Sequence, residues 1–264
     1  MYENTLEKIL CDNSSGSSEI VIRINRLFKK NINNTLMMRN SLMEITGRME
    51  KFEVVMKYVG QIDKFLKCRN RTTLNEFIWN YESENLDVYD KIYQNVKPFI
   101  KSAKSIFTLS NSKTIYEVLK RIYLGKNNIK AIISESRPIF EGRMLAKKLL
   151  KLEMKVTVIT DCQMAESISE CDAIFLGADK ILLNGDVVNK TGSKNAGIIA
   201  RHYAKPVFVL SSTSKFSKQT KLKPKLHSSD KIWKYKHRNL KIENRYFEVV
   251  PRKLITKIIT DKNC

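Results

Sequence analysis

No apolar run of about eighteen residues or more occurs along the 264-residue chain, which excludes a membrane-spanning helix. The first fifteen residues, MYENTLEKILCDNSS, carry acidic side chains and no apolar stretch with a small-residue cleavage site. A secretory signal is therefore not expected, and the chain is expected in the cytoplasm. The five cysteines (Cys11, Cys68, Cys162, Cys171 and Cys264) are odd in number and form no C-x-x-C pair. His202, His227 and His237 are not spaced as a metal set. A structural zinc site is thereby disfavoured, free thiols fit a reducing compartment, and neither metal nor cofactor is expected. There is no G-x-x-x-x-G-K-[ST] loop, no G-x-S-x-G elbow, no zinc knuckle and no aromatic RNA-binding motif.

Positive charge is plentiful. Lys and Arg number 48 against 27 Asp and Glu, a formal net charge of +21. A charge of this size fits a solvated surface, an acidic protein partner or a nucleic acid. Lys, Asn and Ile are abundant throughout, and the basic residues are spread out apart from a dense run at 215–241. That spread favours a solvated surface, and direct nucleic-acid binding is not expected.

The chain changes character near residue 104. Before it, apolar residues recur at helical spacing: Ile20, Ile24, Leu27 and Phe28 within 19–30, then a Met-rich stripe through 35–68, then two shorter amphipathic pieces at 73–81 and 84–97. The methionines read as core filler. After residue 104, short apolar runs at 105–110, 130–136, 155–161, 172–179 and 205–212 alternate with helical stretches. That alternation predicts βαβ units and a parallel sheet. The expectation is an α/β protein with a helical N-terminal domain (1–103) and a Rossmann-like domain (104–264). The polar, basic segment 213–243 reads as a long connection or a lid. Residues 245–260 read as an extended piece, a short helix opened by Pro251 and a closing strand.

Ligands in such sheets bind outside the carboxyl ends of the strands, and four clusters fall there. In S-E-S-R-P (134–138) and E-G-R (141–143), Arg137 precedes Pro138 at a helix start, as a phosphate or carboxylate clamp or as the ion-pair partner of Glu135 or Glu141. In G-A-D-K (177–180), Asp179 is a candidate general acid or base, or a turn aspartate. In N-G-D-V-V-N-K-T-G-S (184–193), Gly185 and Gly192 suit close backbone approach to a ligand, and Asn189 and Lys190 can donate to an anion. In T-L-S-N-S (108–112), Ser110 and Ser112 can cap a helix or bind an anion.

These pieces in this order, with SESRPIFEGRMLAKKL, VTVITDCQMAESI, DAIFLGADKILLNGDVVNKTGSKNAGIIARHYAKPVFVL and NRYFEVVPRKLITKIIT, resemble one family. It contains the α, β and δ regulatory subunits of translation initiation factor 2B, together with methylthioribose-1-phosphate and ribose-1,5-bisphosphate isomerases. The resemblance covers most of 104–264. It implies a catalytic aspartate at Asp179 and ligand-binding residues at Arg137, Arg143, Asn189 and Lys190. It also places Ser110 where the isomerases carry a cysteine, and Ser15 beside a retained Gly16 where they carry an Arg-Gly pair. A thiol is tuned to a thiolate far more readily than a hydroxyl is ionised. The reading drawn from the loss of both the thiol and the arginine is a non-catalytic regulatory protein of translation initiation. Initiation factor 2, through its α subunit, is then the expected partner, with self-association as a dimer or higher oligomer and a phosphorylated small molecule in the pocket. The alternatives are a sugar-phosphate aldose–ketose isomerase and a basic RNA-associated protein. Cys162, as a substitute thiol, falls where the family has an ordinary helix-start residue.

Overall fold

The computed structural model describes residues 2–12, 15–50, 52–68, 70–125, 128–221 and 226–262. Cys264, and residues 222–225 of the segment read as a connection or a lid, lie outside these residues.

Five helices come first: α1 (Tyr2–Leu10), α2 (Ser17–Lys30), α3 (Thr35–Met49), α4 (Glu53–Lys67) and α5 (Arg71–Val96). Asn34 and Asn70 start α3 and α5 by accepting hydrogen bonds from the Met37 and Thr73 amides at 3.0 and 3.1 Å. The apolar stripe of α2 is buried as its spacing predicts. The two pieces expected at 73–81 and 84–97 are instead one helix, α5. The polar residues between them interrupt the apolar stripe but supply no glycine or proline to end the helix. The stripe changes partner there. Leu74 and Ile78 join the core of the first four helices, whereas Ile92 and Val96 join the core under the sheet.

The sheet part runs β1 (Ser105–Leu109), α6 (Lys113–Leu124), β2 (Lys130–Ser134), α7 (Glu141–Leu150), β3 (Val156–Ile159), α8 (Met164–Glu170), β4 (Ala173–Leu176), β5 (Lys180–Ile181), β6 (Val187–Lys190), α9 (Ser193–His202), β7 (Val207–Leu210), β8 (Leu226–His227), β9 (Asn244–Arg245), β10 (Phe247–Val250) and β11 (Lys257–Ile259). The main sheet is parallel in the order β11-β7-β4-β1-β2-β3. Its strands are apolar on both faces because helices cover both. Ile106, Ala131 and Phe175 face α6 and α7, while Phe107, Ile132 and Ile174 face α8 and α9.

The chain moves outward from β1 to β3, then returns to β4 on the other side of β1. That reversal leaves a crevice at the carboxyl ends of β1 and β4, the usual ligand position in an open α/β sheet. A second, antiparallel sheet, β10-β6-β5, was not foreseen. Asn189 and Lys190 therefore sit on a strand, opposite Glu248 and Phe247, rather than in a glycine-rich loop. The glycine whose positive φ makes the tight turn between β5 and β6 is Gly185 (φ 81°).

Candidate functional site

The crevice between β1 and β4 closes into a small cavity of about 20 Å³, room for about one water molecule. It is lined by Ser110, Asn111, Ser112 and Lys113 after β1, Ala178 and Asp179 after β4, and Asn189 and Lys190 on β6. Its roof is the start of α2, residues Gly16, Ser17 and Ser18, and Lys215 completes the lining. The helical part of the chain thus closes a site whose floor belongs to the sheet.

The backbone is bent to make this floor. Ser110 has φ 64° and Ser136 has φ 63°, a left-handed conformation uncommon outside glycine and concentrated at functional sites. The Ser110 amide donates to Ser136 Oγ at 2.8 Å, and Ser136 Oγ donates to the Ser134 carbonyl at 3.0 Å. Asp161, after β3, accepts from the amides of Ser136 (2.9 Å) and Arg137 (2.7 Å) and so fixes the turn after β2. Gly177 permits the close approach of the β1 and β4 ends. A Cβ there would lie 2.7 Å from Ser112 Oγ.

Two helix N-termini meet the cavity, those of α2 and α6. Ser112 caps α6, accepting from the Ile115 amide at 3.4 Å. Among the described residues, no side chain caps α2, and Ser17 Oγ and Asn111 Oδ1 are buried without hydrogen-bond partners. Unpartnered buried polar atoms are costly. The Ser17 hydroxyl can donate to an anion, which the helix dipoles favour, whereas Asn111 Oδ1 can only accept. By contrast, the α9 N-terminus is satisfied internally: the Gly192 and Lys194 amides donate to Glu248 Oε1 at 2.7 and 2.8 Å.

Asp179 is buried at the cavity wall, and its amide donates to the Val188 carbonyl at 2.8 Å. Asn189 Nδ2 donates to Ser193 Oγ at 2.9 Å, which turns its carboxamide along the start of α9. Lys190 Nζ donates to Glu141 Oε1 at 2.5 Å, and both side chains are buried. Burial pushes the Glu141 carboxyl above the usual range, and the Lys190 ammonium opposes that rise. Lys113 Nζ lies 2.9 Å from Glu117 Oε1.

Other sequence candidates stand elsewhere. Arg137 and Arg143 are exposed and do not line the cavity. Both guanidinium groups lie against the Phe140 ring, at 4.9 and 3.9 Å from its centroid. Glu135 pairs with Arg143, and Glu141 with Lys190, so neither is the partner of Arg137. Ser15 is held by Asp12, its hydroxyl donating at 2.7 Å, and also lies off the cavity. Cys162 is an exposed thiol in the turn before α8. Among the described residues, no group of His, Cys, Asp and Glu is placed to hold a metal ion. No helix among them is long and apolar enough to cross a membrane.

The sequence reading missed Lys215. It lies in a 3-10 turn (Thr213–Lys215) after β7, is 4% exposed, and donates through Nζ to the Ala178 carbonyl. Burial pushes its pKa down, and Asp179 opposes that shift. Its one sequence signal was position, a few residues past the carboxyl end of a strand, but the surrounding run of lysines concealed it. The turn is held from outside. Lys57 Nζ on α4 donates to the Ser214 and Phe216 carbonyls, at 2.7 and 2.6 Å, on either side of Lys215. Buried Lys180 reinforces the contact, 2.9 Å from Gln219 Oε1 and 3.5 Å from Glu53 Oε2.

The family model described as the initiation factor 2 subunit family matches residues 19–263. The chain belongs to the initiation factor 2 subunit family. Two relatives within that family's reach are named as enzymes. A ribose 1,5-bisphosphate isomerase of Methanocaldococcus jannaschii is 30% identical over 217 residues, 78% of this chain and 68% of that protein. A methylthioribose-1-phosphate isomerase of Bacillus thuringiensis is 31% identical over 209 residues, 72% of this chain and 60% of that protein. The crystal structure of a Pyrococcus horikoshii translation initiation factor eIF-2B superposes with a TM-score of 0.79, covering 98% of this chain and 94% of that one. At 23% identity, that likeness carries the fold alone.

These relatives overturn the expectation of a non-catalytic regulator in translation initiation. Relatives at 30% and 31% identity are named as sugar-phosphate isomerases, and initiation factor 2 as partner was tied to the regulator reading. That expectation rested on Ser110 and Ser15, standing where the isomerases carry a cysteine and an arginine. The buried aspartate and two helix N-termini remain around the same cavity.

Proposed function

We propose that this chain is an aldose–ketose isomerase acting on a phosphorylated sugar, with the cavity at the ends of β1 and β4 as its active site. The observation that carries the reading is the buried Asp179 carboxylate on the same small cavity as two helix N-termini and the side chains of Lys113, Lys190 and Lys215. The helix ends and the unpartnered Ser17 hydroxyl suit a phosphate. With the phosphate held there, Asp179 stands where a proton can be moved between adjacent carbons of the sugar. The relatives named as isomerases support the same chemistry. In this reading residues 1–103 and 104–264 act as two domains, the helical one as roof. The protein self-associates and works in the cytoplasm.

The test is turnover of ribose 1,5-bisphosphate and methylthioribose 1-phosphate by the purified protein, with Asp179→Asn alongside. Ketose formation by the wild type and its loss in Asp179→Asn, with ligand still bound, is the expected result. A wild type that binds both compounds and converts neither would overturn it.

A further inference from the structure

Aldose–ketose isomerisation needs two proton-handling groups, one at carbon and one at oxygen. Asp179 is one. At the family's thiol position stands Ser110, and among the described residues no His, Asp or Glu is hydrogen-bonded to its hydroxyl, so nothing activates it. The second group must come from elsewhere on the cavity wall. The lining offers three lysines. Lys113 is engaged by Glu117 and Lys190 by Glu141, each a carboxylate that holds the ammonium as an ion pair. Lys215 differs: its donor contact is a carbonyl, that of Ala178, the residue next to Asp179.

We propose that Lys215 is the second catalytic residue of this site, acting as the proton donor and acceptor at the sugar oxygens, and that Lys57 is its positioning residue. The proposal rests on the isomerase reading and extends it. In the forward direction the Lys215 ammonium protonates the ring oxygen as the ring C1–O bond breaks, leaving C1 electron-poor and still bonded to its phosphate oxygen. The Asp179 carboxylate removes the proton from C2, and the C2–H electron pair becomes the C1–C2 double bond of an enol that keeps the 1-phosphate. The neutral Lys215 amine then takes the proton from the C2 hydroxyl, and the Asp179 carboxylic acid returns its proton to C1, giving the ketose. Both side chains end as they began, and no oxidant or co-reactant is consumed.

The surroundings suit this role. Burial lowers the affinity of Lys215 for its proton and makes its ammonium a better acid. The charged group acting on it is Asp179. Lys113 and Lys190 share the cavity, and Glu53 and Lys57 of α4 sit behind the 213–219 turn. Lys57 grips the carbonyls on both sides of residue 215 and so fixes the angle at which the side chain enters.

The experiment compares wild type, Lys215→Arg, Lys215→Gln and Lys57→Met on whichever of ribose 1,5-bisphosphate and methylthioribose 1-phosphate the wild type converts. Folding is checked by thermal melting. Arginine keeps the positive charge but not the ability to give up a proton. Lys215→Arg is therefore expected to hold KM while kcat falls about 10²- to 10⁴-fold, with Lys215→Gln falling at least as far. The wild-type kcat is expected to decline on the alkaline side below the ordinary lysine range, and Lys57→Met to shift that limb. Near wild-type kcat in Lys215→Arg would show an anion-binding role only and overturn the proposal while leaving the isomerase reading intact. If the Lys215 variants do not fold, a wild-type profile with no such alkaline limb overturns it. Absence of turnover by the wild type overturns the isomerase reading and the Lys215 role together.

Discussion

Single residues at this site are constrained by charge and by space. Lys190 and Glu141 form a buried pair whose members each need the other. Lys190→Met is expected to cost about 3–5 kcal/mol, because it strands a carboxylate in the interior. Adding Glu141→Leu is expected to recover most of that loss, as read by urea unfolding of the single and double variants. Lys215 gives a pH signature of opposite sign to that of a stabilising ion pair. Unfolded, it keeps its proton to the ordinary lysine range near ~10.4; folded, it loses it earlier. Between those two points the unfolded chain binds the extra proton, so the contribution of Lys215 to stability rises with pH across that window and is smallest below it. Lys215→Met is expected to flatten the alkaline side of the stability–pH curve relative to wild type. Gly177 is limited by space instead. With Ser112 Oγ 2.7 Å from where its Cβ would be, Gly177→Ala is expected to cost about 1–3 kcal/mol. It is also expected to abolish binding of inorganic phosphate, measured by calorimetry.

At the scale of elements, α4 matters as much as the strands. Its Lys57 reaches the turn after β7, and Lys57→Ala is expected to lose about 1.5 kcal/mol of stability. A change in kcat accompanying that loss distinguishes a positioning role from a purely structural one. The alternation of short apolar runs with helices made the parallel sheet readable, because strands buried on both faces have no polar side to disguise them. The strand ends where Ser110 and Asp179 fall were readable for the same reason. What escaped depended on long-range pairing. Strands β5, β6 and β10 are two to four residues long, and only their antiparallel register turns Asn189 and Lys190 into strand residues. The role of Lys215 depends on a contact with helix α4, far away in sequence. Continuity of α5 was hidden because one helix serves two cores.

For the molecule as a whole, the start of α2 covers the cavity at the strand ends. A compound that binds only the folded site, present at about 100 times its Kd, is expected to stabilise the fold by about 2.7 kcal/mol. Asp179→Asn is expected to keep that melting shift while losing turnover. The site has its roof, and the clamp on Lys215, in the first part of the chain, and its carboxylate in the second. Inheritance of such a site therefore cannot be modular. A recombinant carrying the first 96 residues of one family member on the sheet of another would inherit a mismatched clamp, and lineages should exchange this gene whole or not at all.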